Sequence, residues 1–87
     1  MLFLISSAPD TKEFKRAYRI AQHMNAKVCL LQNAVYASRN LFDNRFYILK
    51  DEMQLRGISE KEVSGKPIDY DQLIAMMESS EKVVGIF

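Results

Sequence analysis

Residues 26–40, AKVCLLQNAVYASRN, constrain the fold more than any other stretch of this chain. Val28, Cys29, Leu30 and Leu31 form an apolar run without alternation, the pattern of a strand covered on both faces rather than one with a wet side. The run stops at Gln32-Asn33, where Asn33 has the chemistry of an N-cap for a helix through Ala34, Val35, Tyr36 and Ala37 that ends near Asn40. A buried strand feeding straight into a helix suits an open parallel α/β sheet, where ligands and partners collect in the crevice outside the strand ends. The helix N-terminus would offer free N–H groups there, favourable for an anion, a thiolate or a persulfide. Gln32, Asn33 and Tyr36 are therefore crevice candidates, while capping alone would equally account for Asn33.

The rest of the chain repeats the strand-then-helix rhythm. Leu2-Phe3-Leu4-Ile5 reads as a first, central strand, broken by Ser6-Ser7-Ala8-Pro9. Asp10 with Glu13 has capping-box spacing and opens a helix near Thr11, in which Phe14, Ala17, Tyr18 and Ala21 make an apolar stripe. Residues 45–49 predict a third strand, and residues 50–56 a short helix stopped by Gly57 at the left-handed C′ position. Residues 58–66 are charged and broken by Ser64-Gly65, with a short edge strand expected near Val63. Asp69 with Gln72 gives a second capping box, before a helix with Tyr70, Leu73, Ile74 and Met77 at stripe spacing. Residues 82–87 predict a last strand, finishing apolar in the core. The order predicts a single α/β domain over residues 1–87: three layers, α/β/α, around a mainly parallel sheet of four or five strands.

Size and charge narrow the function classes. At 87 residues the core is only just adequate, which makes association a reasonable expectation. A net charge of +1 gives no global pull toward nucleic acid or an acidic membrane. One cysteine excludes an internal disulfide and a cysteine-rich zinc site, and with His23 as the single histidine no metal or cofactor is expected. The opening apolar residues are too few for a signal peptide and no run could span a membrane, so a cytoplasmic protein is expected.

Candidate chemistry is sparse. Cys29 could be a nucleophile or sulfur carrier, but inside an apolar run a thiol behaves as a small hydrophobe with a raised pKa. Ser6, Ser7 and Thr11 have the hydroxyls of a phosphate loop without the glycine that lets a phosphate approach, and turn and cap chemistry explains them as well. Lys12, Lys15, Arg16, Arg19 and His23 form a basic helix face that could meet RNA phosphates or an acidic partner; a solvated face is the default. Arg39 and Arg45 flank Asp43 and could line an interface.

Three segments together resemble the DsrH/TusB family, the small sulfur-relay subunits of the DsrE/DsrF/DsrH group. The first is Leu30-Leu31-Gln32-Asn33-Ala34-Val35, and the second is residues 47–57, YILKDEMQLRG, with its tyrosine, aliphatic, acidic and Arg-Gly pattern. Ile68-Asp69-Tyr70 is the third. The resemblance implies a DsrEFH-like α/β/α domain living in an oligomer, with DsrE-like and DsrF-like sister subunits or as a homodimer. It also implies cytoplasmic relay of persulfide sulfur, either toward 2-thiouridine at the tRNA wobble position, an indirect link to tRNA, or in sulfur oxidation. In that relay the sulfur-bearing cysteine belongs to the DsrE-like subunit, and DsrH members that have a cysteine carry it in the first helix. Here that helix has none and Cys29 falls on the next strand, which favours a structural or docking subunit. Tyr47, Asp51 and Arg56 then join Gln32, Asn33 and Tyr36 as candidate contact residues. A carrier role for Cys29 and a small-ligand-binding homo-oligomer are the alternatives.

Overall fold

Two strands whose side chains are almost all buried set the centre of the molecule: β1 (Leu2–Ile5) and β2 (Lys27–Leu30), paired in parallel from Leu2 opposite Lys27 to Ile5 opposite Leu30. The structure, a computed structural model, describes residues 1–39, 46–63 and 65–86, with Arg39 described by its backbone alone. To one side of β2 lies β3 (Phe46–Leu49), then β4 (Lys66–Ile68); beyond β1 lies β5 (Val83–Ile86). The five-stranded sheet has the order β4-β3-β2-β1-β5, and every pairing is parallel. The α/β fold with a parallel sheet is thus as the sequence predicts.

That order dictates where the helices lie. Successive steps from β1 to β4 run in one direction, so right-handed crossovers put α1 (Lys12–His23), the 3₁₀ helix Gln32–Arg39 and α2 (Lys50–Leu55) on one face. The chain then reverses to reach β5 beyond β1, which carries α3 (Tyr70–Ser79) across the opposite face. Packing agrees. Phe14, Ala17 and Ala21 of α1, with Ala34, Val35, Ala37 and Met53, bury Phe3, Ile5, Val28, Leu30, Phe46 and Ile48. On the other face Leu73, flanked by Met76, covers Leu2, Leu4, Cys29, Leu49 and Ile68.

Several local expectations are corrected. Thr11 rather than Asp10 caps α1: its Oγ1 accepts from Phe14 N at 3.2 Å and donates to the Ala8 carbonyl at 2.7 Å, closing the turn in which Asp10 sits. Asn33 is not a cap, because the helix after β2 begins at Gln32 and is 3₁₀ throughout. The edge strand near Val63 lies at Lys66–Ile68 instead, since Ser59 caps a 3₁₀ turn over Glu60–Glu62 and Val63 is that turn's C-cap. Gly65 lets it in: a Cβ there would meet Phe46 Cε2 at 2.5 Å. Of the α3 stripe only Leu73 is buried, and Tyr70, Ile74 and Met77 face outward. Finally, β5 is a half-buried edge strand, not a core strand. Asn40, Asp43 and Arg45 lie outside the described residues.

Candidate functional site

The junction at the C-terminal end of β2 is built on an unusual backbone. Gln32 follows the strand with φ at +47°, the left-handed region that a side chain with a Cβ rarely adopts. Leu31 N donates to the Ile5 carbonyl at 2.8 Å, ending the ladder, and Ala34 N donates to the Leu31 carbonyl at 3.0 Å, starting the 3₁₀ helix. The left-handed residue between them turns the chain sharply and leaves Gln32 and Asn33 exposed above the strand ends.

The other half comes from α2, which follows β3 with no intervening loop. Its C-terminus is a Schellman motif: Ile58 N donates to the Met53 carbonyl at 2.9 Å and Gly57 N to the Gln54 carbonyl at 3.3 Å, with Gly57 at φ +69° as its sequence position predicts. Ile58 and Met53 both join the core, which fixes the helix end. Arg56, the last residue before that glycine, is thereby aimed back across the junction. Its Nη1 donates to Glu52 Oε2 at 2.5 Å and its Nη2 to Asn33 Oδ1 at 3.4 Å. Two residues 23 positions apart in sequence are thus joined through one guanidinium.

Among the described residues, the structure brings the sequence candidates Asn33 and Arg56 into direct contact. Gln32 and Tyr36 are exposed on the same 3₁₀ helix, and Asp51 is exposed on α2. Tyr47 points to the opposite face, where it packs beside the cluster that holds Cys29, so it is not part of this rim. Glu52 was not among the sequence candidates, yet it anchors Arg56; its i, i+4 spacing to Arg56 was the available signal.

The remaining candidates take structural roles. Cys29 is fully buried between the sheet and α3, and burial pushes its thiol up to about 12. A carrier role requires an exposed thiol with a depressed pKa, the opposite of what surrounds this sulfur. Ser6 is buried with its Oγ 3.5 Å from the Ile86 carbonyl, and Thr11 is the α1 cap, so both serve turns. Lys12, Lys15, Arg16, Arg19 and His23 are exposed along α1. Among the described residues no group of three or more His, Cys, Asp or Glu side chains is placed to hold a metal ion. None of the described helices is long and apolar enough to cross a membrane. What the Asn33, Glu52 and Arg56 cluster offers is a braced polar rim of hydrogen-bonding groups at the strand ends.

Among solved structures the chain is similar to protein Tm0979 from Thermotoga maritima, determined in solution by NMR. The two share 27% identity over 94% of this chain and 97% of that one, with a TM-score of 0.73. The likeness thus extends over nearly the whole fold. No family model matches the chain, and no curated protein does.

Proposed function

We propose that this chain is a non-catalytic subunit of a sulfur-relay complex of the DsrH/TusB type, acting through protein contacts. The observation that carries the reading is the burial of Cys29: the one thiol is walled into the core with a raised pKa, so sulfur handling falls to a partner. The resemblance of three segments to that family supplies the pathway, and two of those segments meet where Asn33 accepts from Arg56. In this reading the rim formed by Gln32, Asn33, Tyr36, Asp51 and Arg56 receives a DsrE-like or DsrF-like sister subunit. The relay runs in the cytoplasm, toward tRNA thiolation or sulfur oxidation.

The test is a relay assay read by intact mass. The tagged chain is purified from its native cell and incubated with a cysteine desulfurase and cysteine. The expected outcome is a co-purifying DsrE-like subunit that gains sulfur while this chain gains none. Persulfide on the folded chain itself would replace the docking role with that of a carrier, and a chain that retains no partner would remove the reading altogether.

A further inference from the structure

The basic residues of α1 fall on one line. Lys12, Lys15, Arg16, Arg19 and His23 are all exposed, and at 3.6 residues per turn they share an arc of about 100° opposite the buried Phe14, Ala17 and Ala21. From Lys12 to His23 the row is about 16 Å long, with one tier to each helical turn of about 5.4 Å. Its charge is segregated from the rest of the molecule. With four lysines and arginines against Glu13 alone, α1 carries +3, so under a total of +1 the remainder of the chain is net −2. Among the described residues none of the five basic side chains is engaged in a hydrogen bond or an ion pair.

Two local rules are broken to build that row. Lys12 with Arg16, and Lys15 with Arg19, are like charges four residues apart, which repel across one turn. Three of the four permanent cations also sit in the first five residues, at the positive end of the helix dipole. A sequence that carries such costs on an exposed face, where neutral polar residues would fold as well, is keeping the charges for something outside the fold. We propose that this row binds the phosphate backbone of double-stranded RNA without reading its sequence. Charge complementarity calls for a regular row of negative charges, and the pitch of α1 matches the close spacing of phosphates along an A-form strand better than the wider spacing of B-form DNA.

What lies beside the row favours a duplex over other polyanions. A single strand is held by bases stacked on aromatic rings. The rings of α1 are Phe14, which is buried, and Tyr18, stacked on it with centroids 6.0 Å apart. An anionic membrane takes a helix whose apolar side enters the lipid, and that side of α1 already covers the sheet. An acidic protein surface is held by an apolar or aromatic anchor at the centre of its contact, whereas the arc from Lys15 to Arg16 holds only polar side chains. A duplex backbone needs none of these. Lysine and arginine donate to its phosphate oxygens, and the exposed Gln22 borders the row with an amide that can pair with a 2′-hydroxyl.

Fluorescence anisotropy of a labelled RNA duplex of about 20 base pairs, titrated with the full chain at several salt concentrations, tests the assignment. The expected dissociation constant is about 10⁻⁵ M near physiological salt, and the logarithm of the association constant should fall against that of salt with a slope of about −3.6, for four phosphates neutralised. Lys15→Gln combined with Arg19→Gln should halve that slope and weaken binding roughly tenfold or more, while the thermal midpoint holds or rises because a like-charge pair is gone. Lys61→Gln combined with Lys66→Gln removes the same charge from the β4 side of the sheet and should leave the slope unchanged. A duplex left unbound at about 50 mM salt would overturn the inference, as would a slope that the Lys15 and Arg19 changes leave untouched. So would a DNA duplex of the same sequence bound as tightly as the RNA, or polyglutamate of equal charge bound as tightly, which would make the partner an acidic protein surface. The binding stands apart from the relay reading: a chain that retains a DsrE-like subunit yet leaves RNA free would sink the first and leave the second.

Discussion

Cys29 shows how a single side chain decides between two classes of function. With its thiol pushed up to about 12, the reactive thiolate at pH 8 is roughly one part in ten thousand, so alkylation of the folded protein should wait for unfolding. The same shift makes a stability prediction. The unfolded thiol ionises from its ordinary value of 9.0, while the folded one still holds its proton, so the native state binds more protons between about 9 and 12. Stability contributed by this group is therefore complete below pH 9 and falls by up to about 1.4 kcal/mol per pH unit above it. Denaturant titrations of the parent and of Cys29→Ala, at pH 8 and pH 10.5, should show a smaller loss in the variant, which starts about 1 kcal/mol less stable from the cavity it leaves. Every other ionisable group is common to both proteins, so the difference isolates the sulfur. Gln32 makes the opposite kind of case. Its left-handed φ of +47° strains a residue with a Cβ, so Gln32→Gly should stabilise the fold by about 0.5–1 kcal/mol, provided the relief exceeds the entropy that glycine brings to the unfolded chain. Equal or lower stability would mean that the glutamine side chain compensates for its backbone. Burial of Cys29 was legible from its apolar neighbours, whereas the strain at Gln32 was not, because no local residue preference asks for it.

At the scale of elements, legibility follows the range of the interaction that makes each one. The α3 capping box needs only residues three apart, and it forms as read: Gln72 N donates to Asp69 Oδ1 at 2.8 Å and Asp69 N to Gln72 Oε1 at 2.9 Å. The Gly57 stop is equally local. Asp69→Ala should cost about 1 kcal/mol and Gly57→Ala about 1–2 kcal/mol, the second because alanine must adopt φ near +69°; thermal unfolding of each variant measures both. Adjacent hydroxyl and carboxylate caps were harder to separate, and Thr11 prevailed over Asp10 because its hydroxyl also donates to the Ala8 carbonyl. Long-range packing was the least legible. The α3 spacing of Tyr70, Leu73, Ile74 and Met77 is that of a buried stripe, yet the helix sets Leu73 and Met76 on the sheet and turns the others outward. Likewise the contact of Asn33 with Arg56 depends on β2 and β3 being neighbours, which the chain's apolar runs do not encode. Arg56→Ala should break that brace and lower stability by about 1 kcal/mol, with little change in the helical spectrum.

For the molecule as a whole, size matters more than any single contact. A domain of 87 residues has a narrow stability margin, which the association expected of so small a core would widen. If the chain pairs with a second copy, folding and association are coupled, and unfolding releases two chains from each native particle. Mass action then makes the denaturation midpoint depend on protein concentration. For a dimer that unfolds to free chains, each tenfold rise in concentration adds about 1.4 kcal/mol of apparent stability per mole of dimer. Urea titrations at 1, 10 and 100 µM total protein should accordingly move the midpoint upward in steps. A chain whose midpoint is the same at all three concentrations would show that the fold is stable alone, and that association contributes nothing to holding it together.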